Sequence, residues 1–441
     1  MSQTPPDMTN PENVAEQKKY LNISRFRMGL ANLFFSGEES SLAGQKIMIV
    51  KYLGGTDRHI GLISSFSSFM ALTQWLALPL LRKFQSNRKA QAAALSIGVL
   101  SGILLAISVA FGNAEGMQNV MLWLFLASTL IMTIATGVQV TVETNWIGDL
   151  VPQNIRGWFT SVKSVVSLIG MISLGLFFGW IIDNYGKGED LCITSMWLYL
   201  LVAFSHIMAI ALIWKVPDRK PQPVGIFSKD KTGGKLNYKS YALWCYIIFY
   251  LIWSSGRGIT FTFQTPFLLD RNMSLLGINS LMIFTNLISM AVLLILGKVA
   301  DKKGNRLPLM GVSVFVGLAI LLWPASEWLG IGSIIAYYII NGMAGATHTM
   351  LAMNFGLELF PAKGRAAYLA FSRLLLGLGS LVIINTTAWI SDSLRESSWT
   401  FELFGKTLGR YDLMFLISSF IVCCSFIPLL AVGKHVVEEK Q

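Results

Sequence analysis

Residues 145–156 read NWIGDLVPQNIR, and residues 354–365 read NFGLELFPAKGR. Both follow one skeleton: Asn, three residues, an acid, two residues, Pro, three residues, Arg. The offset, from 145 to 354, is 209 positions, and it persists downstream. Gly170 matches Gly379, Trp180 matches Trp389 and Asp183 matches Asp392. So many rare residues at one offset mark an internal repeat that spans half the chain. A long apolar run precedes each copy and another follows it. Each copy therefore reads as a tight turn between two membrane helices. Pro breaks the helix because it has no N–H to give. Arg suits the cytoplasmic face of a membrane.

Composition supports the same class. Of 441 residues, 53% are hydrophobic and 13% charged, with a mean hydropathy of +0.56. A soluble domain carries about 25% charged residues. The deficit, with repeated runs of about 20 apolar residues, means a polytopic membrane protein. A net charge of +11 would suggest nucleic acid in a soluble chain. Here the cations sit in loops and orient the chain instead, so no nucleic-acid partner is expected. Cys192, Cys245, Cys423 and Cys424 show neither metal spacing nor a disulfide framework. The polar first 24 residues hold no apolar core, so no cleaved signal peptide is expected and the segment 1–24 reads as a disordered cytoplasmic tail.

Taken in order, the apolar segments fall at roughly 28–52, 60–81, 90–112, 120–147, 158–182 and 196–214. A polar break follows at 215–240, with Pro217, Pro221, Pro223 and seven Lys or Arg. It reads as the linker between two halves, 25–214 and 241–433, with 434–441 a short tail. Further segments fall at roughly 241–268, 277–299, 308–328, 332–357, 366–390 and 411–433, making about twelve in all. Loops after even-numbered segments are basic, as is the N-terminal tail, whereas the loop at 113–118 has no Lys or Arg. The expectation is that both termini and the linker are cytoplasmic, in the plasma (inner) membrane. With an even number of helices per repeat, the halves run the same way about an axis along the membrane normal.

The loop GKVADKKGNR, Gly297 to Arg306, resembles the loop signature of the major facilitator superfamily. Gly297, Asp301, Lys302, Gly304 and Arg306 fit; Asn305 stands where a base is usual. In the corresponding first-half loop Lys83 replaces the Asp and Ser86 the Gly. The resemblance covers residues 25 to 435. It implies an all-α membrane protein: two pseudo-symmetric six-helix bundles around a central cavity, moving solute by alternating access. It also implies that Asp301 meets the start of the fifth helix near Gly157 and Arg156 in one state, and leaves it in the other. The plainer alternative is a turn whose charges only enforce topology. Asp149 with Arg156, and Glu358 with Arg365, read as ion pairs that hold helix ends or that break and re-form during transport.

The strongest functional signal is FFSGEESSLAGQK, residues 34–46, which places Glu38 and Glu39 at mid-membrane depth. The seventh segment answers with WSSGRGITFTFQ, residues 253–264. Ser36–Gly37 matches Ser255–Gly256 and Gln45 matches Gln264, which sets Glu38 against Arg257. Glu38 and Gln45 are seven residues apart, about two helical turns, and share one face, as do Arg257 and Gln264. In the family that the chain resembles, the first and seventh helices line the cavity. An acid of one half would then face a base of the other. Charges inside a membrane cost at least a few kcal/mol and are functional suspects by default. A carboxylic acid in low dielectric has its pKa raised, so Glu38 suits a proton carrier. Glu39 with Lys46 forms a separate, structural stripe.

A second polar set comprises Gln139, matched by His348 at the 209 offset, with Glu143 one turn beyond Gln139 and Asn341 two turns before His348. A helix His is also, plainly, a helix–helix contact. Trp253, beside Arg257, suits stacking on a sugar ring. The expected function is secondary transport of a small polar organic solute, a sugar or sugar acid, by proton symport. Sodium is the other candidate ion. A lipid-handling transporter of the same fold and a non-transporting solute sensor are the alternatives. No HExxH, metal set or nucleotide loop points to an enzyme, a metal or a cofactor. A monomer is expected.

Overall fold

The computed structural model describes residues 23–435, apart from positions 25, 33, 35–42, 113, 115, 151–152, 187–189, 217, 219–236, 304 and 361–364. Helical turns over 26–32 precede α1 (Ala43–Tyr52). Then come α2 (Asp57–Phe84), α3 (Asn87–Ala110), α4 (Gln118–Leu150), α5 (Gln153–Tyr185) and α6 (Asp190–Trp214). Past the central break follow α7 (Tyr241–Asp270), α8 (Leu275–Lys303), α9 (Arg306–Ile320), α10 (Ser326–Leu329), α11 (Ile331–Leu359) and α12 (Arg365–Glu396). A hairpin, β1 (Phe401–Leu403) and β2 (Lys406–Leu408), precedes α13 (Arg410–Cys424) and α14 (Ile427–His435). The fold is that of an all-α membrane protein. Among the described residues five helices are long and apolar enough to cross a membrane by length and composition. They lie at Asn87–Ala110, Gln118–Ile147, Asp190–Trp214, Phe371–Glu396 and Arg410–Ala431.

Among the described residues two expected segments are interrupted at a proline. The ninth ends at Ile320, because Pro324 has no N–H to offer the Ile320 carbonyl four residues back. Turns carry the chain from there to α10. The twelfth breaks between Cys424 and Ile427, because Pro428 cannot donate to Cys424. The loop expected at 391–410 is largely structured: α12 runs on to Glu396 and the hairpin fills 401–408.

The described chain divides into two compact units. The first comprises Met1–Gly55, Phe69–Val224 and Ser274–Asn279. The second comprises Thr56–Ser68, Gly225–Met273 and Ser280–Gln441. The start of α2 thus belongs with the later half of the chain, and the start of α8 with the earlier half.

In the first unit α3, α4 and α6 pack round Met28, Leu95, Trp146, Ile147 and Ile213. Close approach of α3 to α6 depends on Gly98, where a Cβ would stand 2.4 Å from the His206 ring. The repeat residue Asn145 donates from Nδ2 to Asn87 Oδ1 at 2.9 Å, which fixes the end of α4 on the start of α3. In the second unit the core of α7 and α11 includes Leu243, Tyr246, Phe249, Leu351 and Phe355, with Leu309 and Leu429 closing it. Small residues again permit close packing. A Cβ on Gly256 would meet Val422 at 2.5 Å, and Ser418 Oγ donates to the Gly256 carbonyl at 2.6 Å.

Candidate functional site

In the second unit one face of α11 carries Tyr337, Asn341 and His348, at one-turn and two-turn spacings. Facing them, α7 carries Trp253 and Arg257. The half-buried Arg257 donates to Tyr337 Oη at 2.9 Å. The rings of Trp253 and His348 stack with centroids 3.4 Å apart and planes 9° apart. One face of the indole that suited a sugar ring is therefore covered by imidazole. His348 is buried, and among the described residues its Nε2 has no hydrogen-bond partner; nor does the buried Oδ1 of Asn341. Ser254 and Ser380 share a hydrogen bond of 2.7 Å that ties α7 to α12. Gln264 lies two turns beyond Arg257, also buried. Arg257, Trp253, Asn341 and His348 are thus brought together within one unit.

In the first unit Gln45 on α1 and Gln139 on α4 are buried, and among the described residues neither the amide nitrogen nor the oxygen of either finds a partner. Leaving such a group unmet costs about 1–3 kcal/mol. One turn from Gln139, Glu143 accepts a hydrogen bond from Asn32 Nδ2 at 2.5 Å. Asn32, Gln91, Glu143 and Trp146 line a cavity of about 10 Å³, room for about one water molecule. Glu38 and Glu39 lie outside the described residues, so the expected pairing of Glu38 with Arg257 has Tyr337 at its described end.

The turn residues divide similarly. Gly297, Asp301 and Lys302 are on the last turns of α8, and Gly304 lies outside the described residues. Asp149 and Arg156 flank the first Pro turn on α4 and α5, and Glu358 and Arg365 flank the second on α11 and α12. The side chains of Asp301, Lys302, Asp149, Arg156, Glu358 and Arg365 lie outside what the structure describes. Arg306 is described: its Nε and Nη2 donate to the carbonyls of Leu429 and Leu430, each at 2.9 Å. It pins the start of α9 to α14.

Residues that the sequence did not single out form a buried cluster in the second unit. Asp57, in the first turn of α2, accepts from Arg410 Nε at 2.9 Å, Ser391 Oγ at 2.9 Å and Tyr411 Oη at 3.0 Å. Beside it the buried Asp392 pairs with Arg58 Nε at 3.0 Å. Its repeat mate Asp183 does comparable work in the first unit, accepting from the backbone N–H groups of Leu275 at 2.9 Å and Leu276 at 2.7 Å. A carboxylate there meets the free N–H groups and positive end of α8. The one available signal was the 209-residue match of Asp183 with Asp392; nothing local names their partners.

Residues 28–384 match the Major Facilitator Superfamily. No curated protein matches the sequence significantly. Solved structures do match in fold. A mutant of the nucleoside transporter NupG gives a TM-score of 0.70 at 14% identity, over 93% of this chain and 100% of that one. The inward-open xylose transporter XylE from E. coli gives 0.63 at 12%, over 91% and 95%. A D-xylose-proton symporter gives 0.64 at 14%, over 91% and 97%. At these identities the likeness is one of fold.

Proposed function

This chain belongs to the Major Facilitator Superfamily and is a membrane transporter rather than an enzyme; from that premise we propose that it carries a small polar organic solute, a sugar or sugar acid, by proton symport. The observation that supports this most is the set of buried polar groups without partners among the described residues: both amide atoms of Gln45 and Gln139, Asn341 Oδ1 and His348 Nε2. A chain selected for stability alone would not keep several such groups at about 1–3 kcal/mol each. A hydroxyl-rich solute supplies both donors and acceptors, and so would satisfy them in turn. Arg257 adds one cation, suited to a carboxylate on the solute or to Glu38. Trp253, with one face taken by His348, offers its other face or edge to a ring.

In this reading Glu38 carries the proton, Gln264 and Glu143 extend the polar lining, and Asp301 with its loop acts in gating. The linker and both termini are cytoplasmic, the membrane is the plasma membrane, and the protein works as a monomer. Among fold relatives, the D-xylose-proton symporter by its name couples a sugar to protons. Counterflow in proteoliposomes tests the proposal. Vesicles preloaded with the right sugar or sugar acid should transiently accumulate labelled solute. Binding without accumulation would make the protein a sensor. Accumulation of nucleosides but of no sugar would replace the solute class.

A further inference from the structure

The turn of the β1–β2 hairpin is built against local preference. Leu403 pairs with Lys406, which leaves Phe404 and Gly405 as a two-residue loop. Both have positive φ, 45° and 75°. Such turns favour Asn-Gly, Asp-Gly or Gly-Gly, because a side chain at the first position is strained when φ is positive. Gly405 conforms; for an aromatic residue, positive φ is a genuine outlier. Strain is ordinarily offset by packing, yet Phe404 is 88% exposed. Among the described residues no packing of the Phe404 ring offsets the conformation.

What covers Phe404 follows from where the hairpin sits. It joins two candidate membrane spans, Phe371–Glu396 and Arg410–Ala431, and lies just past the end of one and just before the start of the next. That is the depth of the lipid headgroups. The Phe404 carbonyl accepts from Trp328 Nε1 at 3.5 Å, which places the tip beside Trp328, on α10 just ahead of α11. Leu329 and Ile331 are exposed, and so is Trp389 on α12. The ring of Trp399 meets that of Phe401 at the hairpin's base, centroids 5.2 Å apart. Exposed aromatic side chains grouped at the ends of membrane helices are what the membrane–water interface favours. Lys406, next to the tip, can reach lipid phosphates with its charge while its stem stays with apolar groups.

We propose that the hairpin Phe401–Leu408 is an interfacial membrane anchor, with the Phe404 ring inserted at the boundary between headgroups and acyl chains. Photocrosslinking in liposomes tests it. The photoreactive analogue p-benzoylphenylalanine replaces Phe404 in one variant and Trp389, on α12, in a reference variant. On illumination, both should gain the mass of one phospholipid. If the position-389 variant gains lipid and the position-404 variant gains none, the tip stands in water and the anchor is overturned. A crosslink from position 404 to a second polypeptide overturns it equally, in favour of a protein partner. The substitution Phe404→Asn supplies an independent check. It suits the turn and should leave the fold intact, while an environment-sensitive dye attached at Lys406→Cys should shift toward the emission it shows in water. An unchanged dye spectrum would mean that Phe404 holds nothing in the bilayer.

Discussion

Asp57 and Arg410 stand 353 positions apart in the chain, yet the carboxylate of one meets the guanidinium of the other at 2.9 Å. Asp57 is almost wholly buried, and Arg410 keeps about a quarter of its side chain in solvent. The pair is therefore asymmetric. Removing the base strands a buried charge, whereas removing the acid leaves a cation with access to water and to Asp270 at 3.8 Å. Breaking a buried pair costs about 3–5 kcal/mol when a charge is left uncompensated. Arg410→Ala should lower the melting temperature of the purified protein markedly, Asp57→Asn less, and the double variant less than the sum. Equal losses from both single variants would show that Ser391 and Tyr411 alone sustain the carboxylate.

The unpartnered amides should behave in the opposite sense. Gln45→Leu and Gln139→Leu each replace a buried, unmet polar group with an apolar one of similar size. Each should raise stability, by about 1 kcal/mol, because the desolvation cost disappears. Each should also depress transport strongly. Thermal melting and solute uptake on the same preparations check both halves. A variant that is destabilised and still fully active would place that glutamine in the scaffold.

Orientation gives a third prediction. A single cysteine at position 230 should resist a membrane-impermeant thiol reagent applied from outside intact cells, and one at position 115 should react. Outside labelling at 230 alone would reverse the assignment of both termini and the linker.

Gating gives a fourth. Asp301→Asn should slow transport and shift cysteine accessibility toward the form open to the cytoplasm. Unchanged accessibility on both faces, with an unchanged rate, would reduce Asp301 to a topology residue.

How much of this was legible in the sequence depends on the range of the interaction. The two Pro turns and the apolar runs are local signals, and all twelve expected segments fall on helices, wholly or, for the first, third, ninth and twelfth, in part. Pro324 and Pro428 were visible, but an apolar run of the right length outweighed them as evidence for a continuous helix. FELFGKTL was passed over because strands of three residues are too short to show alternation. The Trp253–His348 stack and the Asp57–Arg410 pair depend on helices distant in sequence meeting at one depth, which spacing within either helix cannot encode. Repeat symmetry reached further: it linked Asp183 to Asp392, and each proves to hold the first turn of a helix, α8 and α2 respectively.

Solute movement is proposed to be coupled to a proton carried by Glu38 opposite Arg257. Uphill uptake into proteoliposomes, driven by a proton gradient, tests it most directly with two variants side by side. Glu38→Gln should abolish accumulation and leave equilibrium exchange of solute largely intact, since the amide still hydrogen-bonds but cannot release a proton. Glu39→Gln should accumulate nearly as the natural chain does, because its face is turned about 100° away. Normal accumulation by Glu38→Gln beside a dead Glu39→Gln would contradict the account and move the coupling site to the other face of the first helix.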